Sequence, residues 1–289
     1  MRIDAHQHYW QLGRSDYAWM QAPHAVIRRD FLPSDLAPLL KATGIDGTVL
    51  VQADATARET DFMLEIAAVT ANVLGVVGWV DFTAKDAVAQ VEYRAGQDKL
   101  RGLRPMLEFI ADPEWILQPA FKPVLRTMVQ QGLSFDALVH PQHLPAIETL
   151  VRRHPDLPMV IDHGAKPKLR AWRGNALALV AWRDDMRKLA RHQQVYCKLS
   201  GLLTEAGAGW QDGDLLPAMQ ILLDLFGPSR LIWGSDWPVM TLAGQYSDWI
   251  ELSEQALIGL THSEKQQIYS DNAADFYKLD ISRSACKHS

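Results

Sequence analysis

Cysteine, positive charge and long apolar runs are all scarce in this chain of 289 residues, and each shortage excludes a class of protein. The two cysteines, Cys197 and Cys286, are too few for a disulfide scaffold. Lys and Arg number 29 against 34 Asp and Glu, and a net charge of −5 lacks the electrostatic footprint of a nucleic-acid-binding protein. No apolar run reaches the roughly 18 residues of a membrane span, and the first residues form no apolar signal region. We therefore expect a cytoplasmic protein without nucleic-acid or membrane partners.

Short apolar runs recur along the whole chain and are typical of buried strands. We interpret them as eight strands, at residues 2–6, 47–52, 75–80, 100–104, 133–138, 159–163, 195–199 and 231–235. Several of these runs are apolar throughout, which favours a parallel sheet covered on both faces. Helical periodicity fills the intervals, at residues 34–44, 62–73, 86–94, 144–153, 176–192, 215–226, 247–260 and 263–277.

This alternation predicts an α/β fold, a (β/α)₈ TIM barrel that forms a single domain over residues 1–279 and is followed by a tail at residues 280–289. An open doubly wound sheet is the alternative. It is less favoured because no glycine-rich phosphate loop follows the first strand.

Polar residues stand where the predicted strands end, which is where barrels of this type hold their catalytic groups. His6 and His8 end the first strand, and alternation along a strand directs both imidazoles to the same side. The other strand-end groups are Arg104, Asp136, His163, Lys198 and Asp236, on the fourth to eighth strands. We expect these side chains to meet at one mouth of the barrel.

The strand-end motifs resemble those of the amidohydrolase superfamily over essentially the whole chain. The likeness rests on the His-x-His pair, on His163 in Asp-His-Gly and on Asp236 in Gly-Ser-Asp-Trp-Pro. The closing segment 269–277, centred on Asn272, is similar to the C-terminal helix of the amidohydrolase 2 branch. Within that branch, Gly102-Leu103-Arg104 and Lys198-Leu199-Ser200-Gly201 add a resemblance to the sugar-lactone and dicarboxylate-lactone hydrolases. The resemblance implies a hydrolase that opens an aldonolactone, of the L-fucono- or L-rhamnono- type, to its acid.

Lactone hydrolysis needs an activated water, stabilisation of an oxyanion and a proton for the leaving oxygen. We assign Asp236 as the general base, with His163 as a second catalytic group. His6, His8, His163 and Asp236 together form a plausible site for one divalent metal ion, zinc above all. Without a metal, the imidazoles would instead donate hydrogen bonds to the oxyanion. Two metals are not expected, because Arg104 cannot ligate at the end of the fourth strand.

Substrate contacts are expected from Arg104, Lys198, Trp10 and Asp136. Trp10 belongs to an aromatic first loop that suits the face of a sugar ring, although such a loop equally serves as packing. Asp136 is also suited to bracing Arg104 or Lys198. The basic stretch 166–173 indicates either an anionic ligand or a solvated loop, and the glycines of 202–214 indicate a flap.

Three other functions are compatible with the pattern. A 2-pyrone-4,6-dicarboxylate lactonase would need several arginines at the mouth, where only Arg104 is clearly expected. A metal-dependent decarboxylase would release carbon dioxide instead of an acid. A non-catalytic barrel that binds a sugar acid would have no need for an acid–base group beside three imidazoles.

Overall fold

Eight parallel strands form the centre of the computed structural model, which describes residues 1–15, 17–173 and 175–281. The strands are β1 (Ile3–Gln7), β2 (Gly47–Val51), β3 (Val73–Gly78), β4 (Leu100–Leu103), β5 (Ser134–Ala137), β6 (Met159–Ile161), β7 (Val195–Leu199) and β8 (Leu231–Trp233). They pair in sequential order, and a bridge between Gln7 and Trp237 joins the last strand to the first. The predicted single-domain (β/α)₈ barrel is confirmed. Cys286 and most of the predicted tail lie outside the described residues.

Helices cover the outside of the barrel between the strands. They are α1 (Pro33–Thr43), α2 (Ala57–Val69), α3 (Ala87–Ala95), α4 (Lys122–Gln130), α5 (Leu144–Arg153), α6 (Leu169–Trp172), α7 (Ala176–Ala190), α8 (Leu202–Ala206), α9 (Asp212–Phe226), α10 (Tyr246–Ala256), α11 (His262–Gln266) and α12 (Asn272–Phe276). Within the described part of the chain, none of these helices has the length and apolar character that a membrane span requires.

Two helix predictions are wrong in part, and some helices were missed. The helix predicted at 62–73 begins at Ala57, because the Thr56 side chain caps it by accepting a hydrogen bond from the Glu59 amide at 3.2 Å. The helices α4, α6 and α8 were not predicted. The helix predicted at 263–277 is interrupted by a π-helical turn, Gln267–Asp271.

A bulge in β1 determines which of its side chains enter the barrel. Asp4 pairs with Thr48 and Gln7 pairs with Leu50, so β1 holds one more residue than β2 over this stretch. Before the bulge Ile3 belongs to the apolar cluster of the barrel interior, whereas Asp4 turns away and accepts a hydrogen bond from the Tyr246 hydroxyl at 2.8 Å. Beyond the bulge His6, and His8 just after the strand, face the interior.

The last helical segment of the described chain contacts the strands and stabilises the barrel. The Asn272 amide donates to the carbonyl oxygens of Pro228 and Leu231, both at 2.7 Å, and so holds the start of β8. Tyr277 joins the interior cluster, and its hydroxyl donates to Asp136 Oδ2 at 2.6 Å. The predicted C-terminal helix therefore supports the strands that carry the site.

Candidate active site

A cavity of about 470 Å³ opens at the carboxyl ends of the strands. Charged and imidazole side chains from the first, fourth, sixth, seventh and eighth βα connections line this cavity. They include His8, Arg104, Glu108, His163, Lys166, Glu205 and Asp236. The barrel therefore brings groups from distant parts of the chain to one mouth, as the strand-end pattern predicts.

One carboxylate oxygen, Oδ1 of Asp236, is the centre of the site. It lies 3.2 Å from Nε2 of His8, 3.7 Å from Nε2 of His163 and 3.8 Å from Nε2 of His6. All four residues are at most 4% exposed. The three imidazoles and the carboxylate predicted to converge therefore do so in a water-poor environment.

The far sides of the His8 and His163 rings are each held by a neighbouring group. His8 Nδ1 lies 2.7 Å from the Val51 carbonyl, which can only accept, so this nitrogen carries the proton and the lone pair of Nε2 faces Asp236. His163 Nδ1 lies 2.8 Å from Ser200 Oγ. A Cβ atom on Gly201, whose φ is +65°, would come within 2.4 Å of this ring. The Lys198-Leu199-Ser200-Gly201 motif thus orients His163.

His163, which follows β6, and Asp236, which follows β8, both have left-handed backbone conformations. The φ angle is 55° at His163 and 63° at Asp236, values that non-glycine residues seldom adopt. The turn at Asp236 is fixed by Ser235, whose amide and hydroxyl donate to Asp4 at 2.8 and 2.6 Å. Such conformations persist only where the surrounding contacts enforce them, and they are concentrated at functional sites.

A buried ionic cluster lies behind His6. Lys198 Nζ lies 2.7 Å from Asp136 Oδ2, 3.0 Å from Asp162 Oδ1 and 3.1 Å from His6 Nδ1. Lys198 and Asp136 are 0% exposed, and neither lines the cavity. The direct substrate contacts expected of these two residues do not fit these positions, whereas the alternative in which Asp136 braces Lys198 does.

Arg104 is the strand-end cation that does reach the cavity. Its Nη1 atom donates to Asp162 Oδ2 at 3.1 Å and lies 3.3 Å from His6 Nε2. Its Nη2 atom donates to the Gln52 carbonyl. Its Nε atom is buried and has no hydrogen-bond partner among the described residues.

Trp10 does not take the position expected of a substrate-binding aromatic. It is 0% exposed, its indole donates to the Arg29 carbonyl at 2.7 Å, and its ring packs against Phe31 at 5.3 Å. From the same loop, Trp19 lines the cavity instead. Trp19 also lines a neighbouring apolar cavity of about 460 Å³. The aromatic loop therefore acts mainly as packing.

Burial and mutual charge set the protonation states of the site. Burial lowers the pKa of His163 to about 4, against the raising effect of Asp236. Burial likewise lowers the pKa of His8 and, well below its usual value, that of His6. Burial alone would raise the pKa of Asp236, but His163 and His8 bring it below the ordinary value. At neutral pH an ionised carboxylate therefore lies among neutral imidazoles.

The chemistry of this donor set fits a metal ion. One ligand atom each from His6, His163 and Asp236 lies within 4.8 Å of the others. The lone pair of His8 points at a carboxylate oxygen, and two facing acceptors are unfavourable unless a cation or proton lies beside them. The residues present could therefore hold one ion. Arg104, which is hydrogen-bonded to Asp162, is a permanent cation and cannot be a metal ligand.

The sequence reasoning missed two acidic residues on the cavity wall, Glu108 and Glu205. Glu108 forms an ion pair with Lys166, which belongs to the basic stretch that was noted. Glu205 lies on α8, in the segment expected to be a flap. No motif surrounds either acid, so only their nearness to strand ends could have indicated them.

Comparison with known proteins shows the relatives of this chain. The family model described as amidohydrolase, of the amidohydrolase 2 type, matches residues 3–279. A protein from Burkholderia ambifaria named L-fucono-1,5-lactonase is 44% identical over 286 residues, which cover 96% of both chains. A protein of the same name from Burkholderia multivorans is 38% identical, again with 96% of each chain covered.

Solved structures of amidohydrolases are also similar to this chain over almost its whole length. The crystal structure of an amidohydrolase from Burkholderia multivorans with bound HEPES is 36% identical, with a TM-score of 0.92 over 97% of this chain and 100% of that one. A structure of an amidohydrolase from the same organism with bound zinc has a TM-score of 0.91 at the same identity and coverage. The family inferred from the strand-end motifs is confirmed, and this chain belongs to the amidohydrolase family.

Proposed function

We propose that this protein is a lactonase that hydrolyses an aldonolactone of the L-fucono-1,5-lactone type to the open sugar acid. The observation that carries the proposal is the convergence of the Asp236 carboxylate and three imidazoles in one buried cavity. Its volume of about 470 Å³ suits a small-molecule ligand, for which pockets range from roughly 300 to 1,000 Å³. The two lactonases that are 44% and 38% identical support the substrate class.

In the proposed reaction Asp236 moves the protons. Its lowered pKa keeps the carboxylate ionised at neutral pH, so it accepts a proton from water as the water oxygen bonds to the lactone carbonyl carbon. When the tetrahedral intermediate collapses, the bond from that carbon to the ring oxygen breaks. Asp236 then returns the proton to the ring oxygen, which leaves as a hydroxyl group, and the product is the sugar acid.

Arg104 is the residue proposed to stabilise the oxyanion. It is on the cavity wall, and its Nε–H has no partner among the described residues. A cation that is already held in place and has an unused donor needs to move little when negative charge develops on the carbonyl oxygen. Lys198 and Asp136 are then positioning residues, which hold His6 from behind without touching the substrate.

We also propose that His6, His8, His163 and Asp236 hold one divalent metal ion, with zinc as the ion that imidazole and carboxylate donors favour. When bound, such an ion lowers the pKa of a water molecule and polarises a carbonyl group. The neutral state of the imidazoles supports the assignment, since a protonated imidazole cannot ligate. The zinc-bound amidohydrolase from Burkholderia multivorans supports the choice of metal.

Acid release from a panel of lactones tests the proposed function. A pH indicator would follow L-fucono-1,5-lactone, L-rhamnono-1,4-lactone and 2-pyrone-4,6-dicarboxylate, each against its spontaneous hydrolysis. We expect fast opening of a sugar lactone and little action on the dicarboxylate. The absence of acid release above the spontaneous rate for both sugar lactones would contradict the proposal, and release of carbon dioxide from an aromatic acid would favour a decarboxylase.

A further inference from the structure

A second group of charged side chains lines the cavity without taking part in the chemistry at Asp236. Glu108 lies in the turn after β4, Lys166 follows β6, and Glu205 lies on α8 after β7. We call these three residues the charged wall. We propose that the charged wall binds the ring hydroxyl groups of a polyhydroxylated lactone, with Glu205 as its principal hydrogen-bonding group. This inference rests on the proposed lactonase function and specifies which part of the substrate the enzyme recognises.

Two members of the charged wall form a fixed ion pair. Lys166 Nζ bonds to Glu108 Oε2, and the two side chains are 21% and 7% exposed. Burial disfavours the charged form of each group, whereas the partner and the other charges nearby favour it. Together these charges outweigh burial, so the pKa of Lys166 is raised, the pKa of Glu108 is lowered, and both groups stay charged. An ammonium has three N–H donors and the pair uses one. Lys166 therefore keeps donors for oxygen atoms of a ligand in the cavity.

Glu205 differs because its carboxyl group has no hydrogen-bond or ion-pair partner among the described residues. The residue is partly buried on the cavity wall, where an unpaired polar group loses hydration without compensation. Burial raises its pKa to about 7, and the charges of Glu108 and Asp236 act in the same direction against the lowering effect of Lys166. A carboxyl group in this state can accept a hydrogen bond and can donate one, and a hydroxyl group can do both as well.

The composition of the charged wall favours neutral hydroxyl groups over anionic substituents. It offers two acidic groups and one ammonium, and that ammonium is already paired with Glu108. The exposed Arg170 also lines the cavity but does not belong to the charged wall. An added carboxylate on the substrate would face Glu205 and would be repelled or would force its protonation. A hydroxyl group would satisfy both Glu205 and the free donors of Lys166. Sites built to bond a substrate hydroxyl discriminate strongly against analogues that lack it.

A comparison of two lactones with the same ring size tests the inference. One is L-fucono-1,5-lactone, and the other is δ-valerolactone, which has the six-membered ring without hydroxyl groups. We expect Glu205→Ala to lower kcat/KM for the sugar lactone by about 10- to 100-fold, the effect of losing a hydrogen bond to a charged group. The value for δ-valerolactone should stay within about two-fold of wild type. Glu92→Ala, at an exposed site on the outer helix α3, is the matched control and should change neither value.

Each other outcome would overturn the inference. Equal loss on both lactones would make Glu205 a group required for chemistry or folding, and no loss on either would mean that it does not touch the substrate. Glu205→Gln keeps the shape and a neutral hydrogen-bonding group, so it should lose less than Glu205→Ala. This variant also provides the same comparison if Glu205→Ala does not fold.

Failure of the proposed function would be recognised separately, because the wild-type protein would then open neither lactone. In that case calorimetric titration with L-fuconate tests the charged wall without turnover. We expect the Kd of L-fuconate to rise at least ten-fold in Glu205→Ala, and an unchanged Kd would overturn the inference.

Discussion

The Nε2 atom of His8 lies 3.2 Å from Oδ1 of Asp236, although 228 positions separate the two residues in the sequence. The contact exists because the barrel closes there. The His8 amide donates to the Trp237 carbonyl, and the Asp236 amide donates to the His6 carbonyl, both at 2.8 Å. Closure of the barrel and assembly of the site are therefore one event, and a change that loosens the junction of the first and last strands should affect both stability and activity.

Gly201 tests whether the position of His163 matters for turnover. Gly201→Ala places a Cβ atom 2.4 Å from His163 Nδ1 and should lower kcat at least ten-fold, because the ring must move away from Asp236. Gly209→Ala is the control, since Gly209 also has a positive φ, +76°, but no atom within 4 Å of the added Cβ. Both variants carry the backbone penalty of a left-handed alanine. Equal kcat values for the two, measured by lactone opening, would contradict this role of Gly201.

Lys198 should matter more for stability than for substrate affinity. Lys198→Met leaves the buried carboxylates of Asp136 and Asp162 without their shared cation, which should lower the free energy of unfolding by about 3–5 kcal/mol. Lys188→Met removes an exposed pair with Asp185 and should not measurably shift the urea midpoint. Urea denaturation of both variants checks the difference. A Lys198→Met protein as stable as wild type, with a raised KM, would instead support direct substrate binding.

The pKa of His163 predicts a pH effect on stability. Its imidazole titrates near 4 in the folded protein against an ordinary 6.5, so the unfolded chain binds the proton first as the pH falls. In the metal-free protein this residue should therefore reduce the free energy of unfolding between pH 6.5 and pH 4, by about 3 kcal/mol. His163→Asn removes the titration, and asparagine tolerates the left-handed backbone. Parallel stability profiles of wild type and variant across this pH window would show that His163 is not held neutral.

Ser200 tests the proposed metal site through a residue that touches no metal. It holds His163 Nδ1 at 2.8 Å, and loss of such a partner typically weakens metal binding about 10- to 100-fold. We expect the chelator-treated protein to bind one equivalent of zinc with a rise in Tm, and Ser200→Ala to bind it more weakly. Ser253→Ala is the buried control. Ser253 lies on α10, and its hydroxyl accepts a hydrogen bond from the Trp233 indole. If zinc does not raise the Tm of wild type, or if both variants bind it equally, the metal assignment is wrong.

The sequence was most informative where one local pattern decides the structure. Apolar runs that suit a strand buried on both faces predicted all eight strands in order, and β7 has the predicted bounds. The meeting of His6, His8, His163 and Asp236 followed from the barrel rule that polar strand ends share one mouth. These inferences need only the order of the elements.

Features that depend on packing between distant elements could not be predicted. The bulge in β1 sends Asp4 outward to Tyr246, whereas strict alternation would group Asp4 with the histidines. Trp10 is drawn into the packing beneath its loop, because Phe31 and the Arg29 carbonyl contact it there. Glu205 lines the cavity from α8, the short helix that follows β7, and no spacing in the sequence shows this.

The central claim is that the Asp236 carboxylate drives the opening of a sugar lactone in this cavity. The most direct test compares kcat for L-fucono-1,5-lactone between wild type and Asp236→Asn at pH 7, with Tm as the check on folding. An amide cannot take the proton from water, so kcat should fall by about 10²- to 10⁴-fold while Tm stays close to that of wild type. Near-normal turnover by a folded Asp236→Asn protein would contradict the account.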